Sequence, residues 1–159
     1  HDSKVKIKSN YEFDIKIYES LFDNTEQIVL SKGKIDNGMP VMVRVHVTDY
    51  FDNLFGEYGS DDASLNKSVE VIQEHGRGIL VLIRDSGKSI INRLITNSSS
   101  GDNKSENEKD ELRIYGMGAQ ILSELGVKEM ILLTNTEWKF IGLEAYGIDI
   151  IETKLLSEL

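Results

Sequence analysis

Met130–Ile151, MILLTNTEWKFIGLEAYGIDII, is the stretch that decides the fold. Met130–Leu133 is a short apolar run of strand length. Thr136 is placed to cap a helix running to Tyr146, since a threonine hydroxyl accepts from a backbone N–H that the first helical turn leaves unpaired. Gly147 ends that helix, and Ile148–Ile151 is a second apolar run. Strand, helix and strand joined by short links predict a parallel βαβ unit.

Upstream of this unit, Leu112, Tyr115, Ala119 and Leu122 form one helical stripe that Gly126 closes. Gly78–Ile83 reads as a buried strand. Ser64–His75 reads as a helix, with Leu65, Val69 and Ile72 at helical spacing and Gly76 placed to end it. Met39–Val47, MPVMVRVHV, is the strongest strand signal: Val41, Val43, Val45 and Val47 share one face, while Met42, Arg44 and His46 share the other. Tyr11–Tyr18 alternates in part, with Phe13, Ile15 and Ile17 on one face, and Glu26–Leu30 is placed to pair with it. The class is α/β with a mixed sheet, antiparallel in front and parallel behind. Residues 1–4 are expected to be a remnant or linker. Thr96–Asp110, TNSSSGDNKSENEKD, lacks any apolar residue and is expected to form a flexible polar loop within a domain spanning 5–159.

Composition excludes several functions. A chain of 159 residues with 40% apolar and 28% charged residues can build one soluble globular core. No run approaches the roughly 18 apolar residues of a membrane span. Lys and Arg number 18 against 27 Asp and Glu, a net charge of −9, which argues against nucleic acid as a partner. There is no cysteine, so disulfides, thiolate zinc sites and cysteine nucleophiles are excluded together. The three histidines, His1, His46 and His75, have no ligand spacing. Asp49, Asp61 and Asp62 offer hard oxygen donors, as many acidic loops do.

Three groups of residues suit anions. Arg84-Asp85-Ser86-Gly87-Lys88 follows a strand directly, a place where turns cradle phosphates, although such turns are also common on surfaces. Thr134 ends an apolar strand and Lys139 falls in the next helix's first turns; a capping threonine and a solvated lysine fit equally well. Glu111 and Arg113 flank a helix start, where they can contact a phosphate or one another. From the residues alone this is an acidic α/β domain with a possible anion site.

Four blocks in order resemble GTP cyclohydrolase II. They are Val43–His46 (VRVH), Glu74–Lys88 (EHGRGILVLIRDSGK), Leu112–Val127 (LRIYGMGAQILSELGV) and Leu132–Glu152 (LLTNTEWKFIGLEAYGIDIIE). The resemblance covers about residues 5 to 155. It implies a three-layer α/β fold that binds GTP, a zinc ion on three cysteines that activates water to open the imidazole ring, and an arginine nucleophile toward the α-phosphate with an aspartate as proton acceptor. It also implies a homodimer, a cytoplasmic location and frequent fusion behind a 3,4-dihydroxy-2-butanone 4-phosphate synthase.

Carried over residue by residue, the resemblance divides the site. Arg113 matches the nucleophile and Glu111 its acidic partner, where the family has Asp. Thr134 and Lys139 match phosphate-side contacts, and Arg44, Arg84 and Lys88 complete a vestigial GTP or phosphate site. The three zinc positions fall on Asp49, Gly59 and Asp61, none of them a thiolate. The family's Glu-Gly-Arg is Ser86-Gly87-Lys88, which removes a carboxylate for the guanine edge and replaces a forked donor by a point charge. Thr48 and Ser64 stand where Glu and Gln are expected. The expectation is a degenerate domain without zinc that supports a fused synthase. The alternatives are a module that senses a phosphate or nucleotide ligand and, less favoured, an active enzyme with a hard ion on Asp49, Asp61 and His46.

Overall fold

The computed structural model describes residues 3–7, 11–21, 24–48, 60–84, 104–135 and 143–159. Seven strands form one mixed sheet: β1 (Ser3–Ile7), β2 (Tyr11–Glu19), β3 (Glu26–Lys32), β4 (Val41–Thr48), β5 (Gly78–Arg84), β6 (Glu129–Thr134) and β7 (Asp149–Leu155). Their spatial order is β1-β2-β3-β5-β4-β6-β7. The first three strands pair antiparallel, β3 pairs antiparallel with β5, and β5, β4, β6 and β7 are mutually parallel. The mixed sheet with an antiparallel front and a parallel back is the architecture that the sequence predicts. Helix α1 (Ser60–His75) joins β4 to β5, and helix α2 (Lys104–Glu124) lies between β5 and β6 in sequence. Parallel neighbours need such crossovers, because a tight turn can only reverse the chain.

The helices cover opposite faces, which gives three layers. Alternate sheet residues Val43, Val81, Ile83 and Leu132 pack with Ile114, Ala119, Ile121 and Leu122 of α2. Their neighbours Met42, Leu80 and Leu133 pack with Val69 and Ile72 of α1, alongside Phe13 and Leu30. A central strand buried on both faces must be apolar at nearly every position. GILVLIR meets that demand nearly throughout, whereas VMVRVHVT meets it on its valine face and carries Arg44, His46 and Thr48 on the other. Gly118 lets α2 sit close to the sheet: a Cβ there would meet Ile83 Cδ1 at 3.4 Å and Val45 Cγ1 at 3.6 Å. Gly33 is constrained twice, by a φ of 73° and by the Gly76 carbonyl oxygen 2.6 Å from where its Cβ would be.

Four expectations need correction. Ser3 and Lys4 belong to β1, so residues 1–4 are not all linker. The final seven residues of the expected 96–110 loop lie in α2, which starts at Lys104; residues 96–103 are outside the described residues. Lysine and glutamate favour helix, and an existing helix extends at little cost once its apolar face has nucleated it. Leu112 is 56% exposed, so the stripe facing the sheet runs through Ile114, Gly118, Ala119, Ile121 and Leu122 instead. Leu143–Tyr146, the described end of the helix expected from Thr136, is a 3₁₀ turn. Gly147, at φ 70°, ends it as expected.

Candidate functional site

Parallel strands β4, β5 and β6 end together at one edge of the sheet, with Thr48, Arg84 and Thr134 as their last residues. Antiparallel β3 begins at the same edge and β2 ends there. This carboxyl edge is where open α/β sheets place ligands, because connecting loops diverge there.

Gln27 ties the edge together. It is 1% exposed, its Oε1 accepts from the Arg84 backbone N–H at 2.6 Å, and its Nε2 donates to Thr25 Oγ1 at 2.7 Å. Thr48 Oγ1 donates to the Ile83 carbonyl at 3.2 Å across the β4–β5 pair. Arg44 is 8% exposed and its Nη1 donates to the Leu133 carbonyl at 3.3 Å, tying β4 to β6. A guanidinium whose long stem is packed this deeply acts as a clamp on the sheet.

The sheet divides the residues singled out from the sequence. By strand alternation Arg44, His46 and Arg84 share the face covered by α1, whereas Thr134 shares the face covered by α2. Arg113 lies on α2 and lines a groove of about 720 Å³. Tyr18, Gln27, Met117, Gln120 and Tyr146 line it too. Gly116 keeps its wall low: a Cβ there would lie 3.6 Å from the Tyr146 hydroxyl oxygen. One cation, two carboxylates (Glu19 and Glu124), two phenol rings and two amides beside an apolar wall suit a small planar ligand that offers both donors and acceptors. Thr134 is buried at the end of β6 and Arg84 is exposed at the end of β5. Glu111 belongs to α2, with its side chain outside the described residues, as is that of Asp61 in α1. Lys88, Lys139, Asp49 and Gly59 lie outside the described residues altogether. Sequence reasoning missed Gln27, Tyr18 and Tyr146. Only Gln27 left a signal, a polar residue at a position whose neighbours Val29 and Leu30 are core.

A family model for GTP cyclohydrolase II matches residues 1–154. The chain belongs to the GTP cyclohydrolase II family. It is 38% identical over 154 residues to the riboflavin biosynthesis protein RibBA of Chlorobium phaeovibrioides, covering 89% of this chain and 37% of that protein. It is 36% identical over 153 residues to RibBA of Synechocystis, covering 89% and 28%. It is 35% identical over 142 residues to the monofunctional riboflavin biosynthesis protein RIBA 2, chloroplastic, of Arabidopsis thaliana, covering 87% and 30%. The chain thus spans between 28% and 37% of the length of these relatives. Among solved structures it resembles RibBX, a two-domain 3,4-dihydroxy-2-butanone 4-phosphate synthase from A. baumannii. The TM-score is 0.56 at 18% identity, over 98% of this chain and 38% of that one, a likeness of fold.

The family implies zinc, and the donors present do not fit it. The chain has no thiolate. Among the described residues no three His, Asp or Glu side chains converge. His46 contributes one imidazole, on β4. A cation site that lowers the pKa of water needs three protein ligands and an open position. Among the described residues no helix is long and apolar enough to cross a membrane.

Proposed function

We propose that this chain is a degenerate GTP cyclohydrolase II-like module of a riboflavin-biosynthesis protein. It does not open the purine ring, it holds no zinc, and it serves as a homodimeric structural support in the cytoplasm for a fused 3,4-dihydroxy-2-butanone 4-phosphate synthase. One observation carries the reading: a family-type core, packed on both faces of the sheet, in a chain with no cysteine. Hydroxide for ring opening at neutral pH comes from a metal-bound water, and the thiolates for that metal are gone. Groups that act as a unit lose nearly all activity when one is removed. Arg113 and Glu111, the nucleophile and its acidic partner by resemblance, are therefore vestigial. The test is formate release from GTP with zinc supplied, beside an active family member. No release is expected, and release at the family's ordinary rate overturns the reading.

A second reading is favoured by the groove at Arg113, together with the buried Thr134. In it the module binds a phosphate or nucleotide and reports to the fused domain. Calorimetric titration with GTP, GMP and pyrophosphate checks it: saturable heat supports sensing, and none at millimolar ligand removes it.

A further inference from the structure

The corner of the sheet where β2 ends and β3 begins carries an apolar pair that stays exposed and that neither α1 nor α2 covers among the described residues. Ile17 is 49% exposed and Ile28 is 36% exposed. They are direct cross-strand partners, and by alternation both lie on the face of α1, in line with buried Phe13 and Leu30. Leu21, two residues beyond β2, is 97% exposed and, like Glu19, also lines the groove at Arg113. The next same-face pair outward is Glu19 opposite Glu26, both exposed. Like charges directly opposite one another destabilise a strand pair. The corner therefore combines two costs, an uncovered aliphatic pair and an acidic couple. A surface with apolar side chains and a basic rim relieves both.

Topology places the start of β1 near this corner. β1 runs antiparallel to β2, with Ser3 opposite Ile15. Polypeptide entering at Ser3 thus arrives beside Ile15, one same-face position from Ile17. The relatives carry most of their length outside the region matched here, with only 37% and 28% of each covered. We propose that the Ile17–Ile28 corner, with Glu19 and Glu26 at its rim, is the docking surface for a preceding domain of the same polypeptide, one that presents apolar side chains and lysine or arginine. This rests on the proposed function, in which a synthase-type domain precedes the module. A second copy of the chain fits less well, since a two-fold contact here would set the Glu19–Glu26 couple against its own equivalent.

Because these 159 residues hold no cysteine, a thiol introduced among them is assigned by its own peptide. Ile17→Cys and Ile151→Cys are introduced singly into the full-length polypeptide, and maleimide labelling at each is read by peptide mass spectrometry. Ile151, 51% exposed on β7, is the reference of matching exposure. Labelling at position 17 is expected to be about tenfold slower than at 151, because a covered thiol reacts only on opening. Adding Glu19→Lys and Glu26→Lys is expected to restore rapid labelling at position 17. Equal rates at both positions overturn the proposal, and so does protection that disappears on dilution, which marks a second copy. Formate release from the same polypeptide reports separately on the functional reading.

Discussion

The two faces of the sheet are finished differently. Under α2, a helix of 21 residues, the core runs unbroken from Val29 to Ile148, and Gly118 brings the backbone close. Under α1, a helix of 16 residues, packing is complete around Val69 and Ile72, but Ile17 and Ile28 stay open to solvent. The arginines follow the same division. Arg44, on the α1 face, is a buried clamp, and Arg113, on the α2 face, lines a groove. One face is a closed core with a ligand-sized groove at its rim, and the other is a closed core with an apolar corner left over. Two arginines that the sequence singled out for one anion site therefore need not share a job: Arg44 holds the sheet and Arg113 faces the groove.

Truncation in either core should cost the most. Leu122→Ala and Ile72→Ala, at 1% and 0% exposure, should each lose about 2–5 kcal/mol in chemical denaturation. A much smaller loss for Ile72 would mean that the α1 face is the looser of the two. Gln27→Leu comes next. It strips the partner from the Arg84 N–H and from Thr25, and should cost about 1–3 kcal/mol, or about 2–10 °C in Tm.

Arg44→Met against Arg113→Ala then sharpens the contrast between clamp and groove. The first should lower Tm with no specific change in pyrophosphate binding. The second should leave Tm nearly unchanged and weaken any pyrophosphate binding that calorimetry detects. The opposite pattern would return Arg44 to the anion site. The smallest effect belongs to the Lys4–Glu12 pair on the exposed β1–β2 strands, whose atoms are 3.0 Å apart. The Lys4 hydrogen bond holds the Glu12 carboxyl below the ordinary range, and Glu12 holds Lys4 above its own. The contribution from Glu12 is thus present above the ordinary glutamate pKa and fades as pH falls through the depressed value. The contribution from Lys4 is present below the ordinary lysine pKa and fades as pH rises through the raised one. Both groups are exposed, so Lys4→Ala should shift the Tm–pH curve at the edge of detection, and added salt should erase the difference.

Much of the fold is legible in the chain because strand and helix periods are local. The alternation of Val41 to Val47 shows a strand with one apolar face, and Gly76, Gly126 and Gly147 mark three ends by backbone freedom alone. The start of α2 is not legible: KSENEKD has the composition of a solvated loop and equally of a solvated helical turn, and only the attached apolar stripe makes it helix. Candidate site residues were found as short local groups and then by resemblance, and their grouping in space was not. Tyr18, Gln27, Arg113 and Tyr146 are far apart in sequence, and no spacing rule links them.

By itself the sequence determined the chemistry that is ruled out, since a chain with no sulfur nucleophile and no thiolate ligand cannot acquire one by folding. It also determined the family and the mixed sheet, because both are written in local pattern. Tertiary structure alone decided which arginine is buried and which lines a groove. It also decided that Ile17 and Ile28, core-like by alternation, lie beyond the reach of α1. Burial is a property of what packs across a face, and strand order rather than chain order sets that.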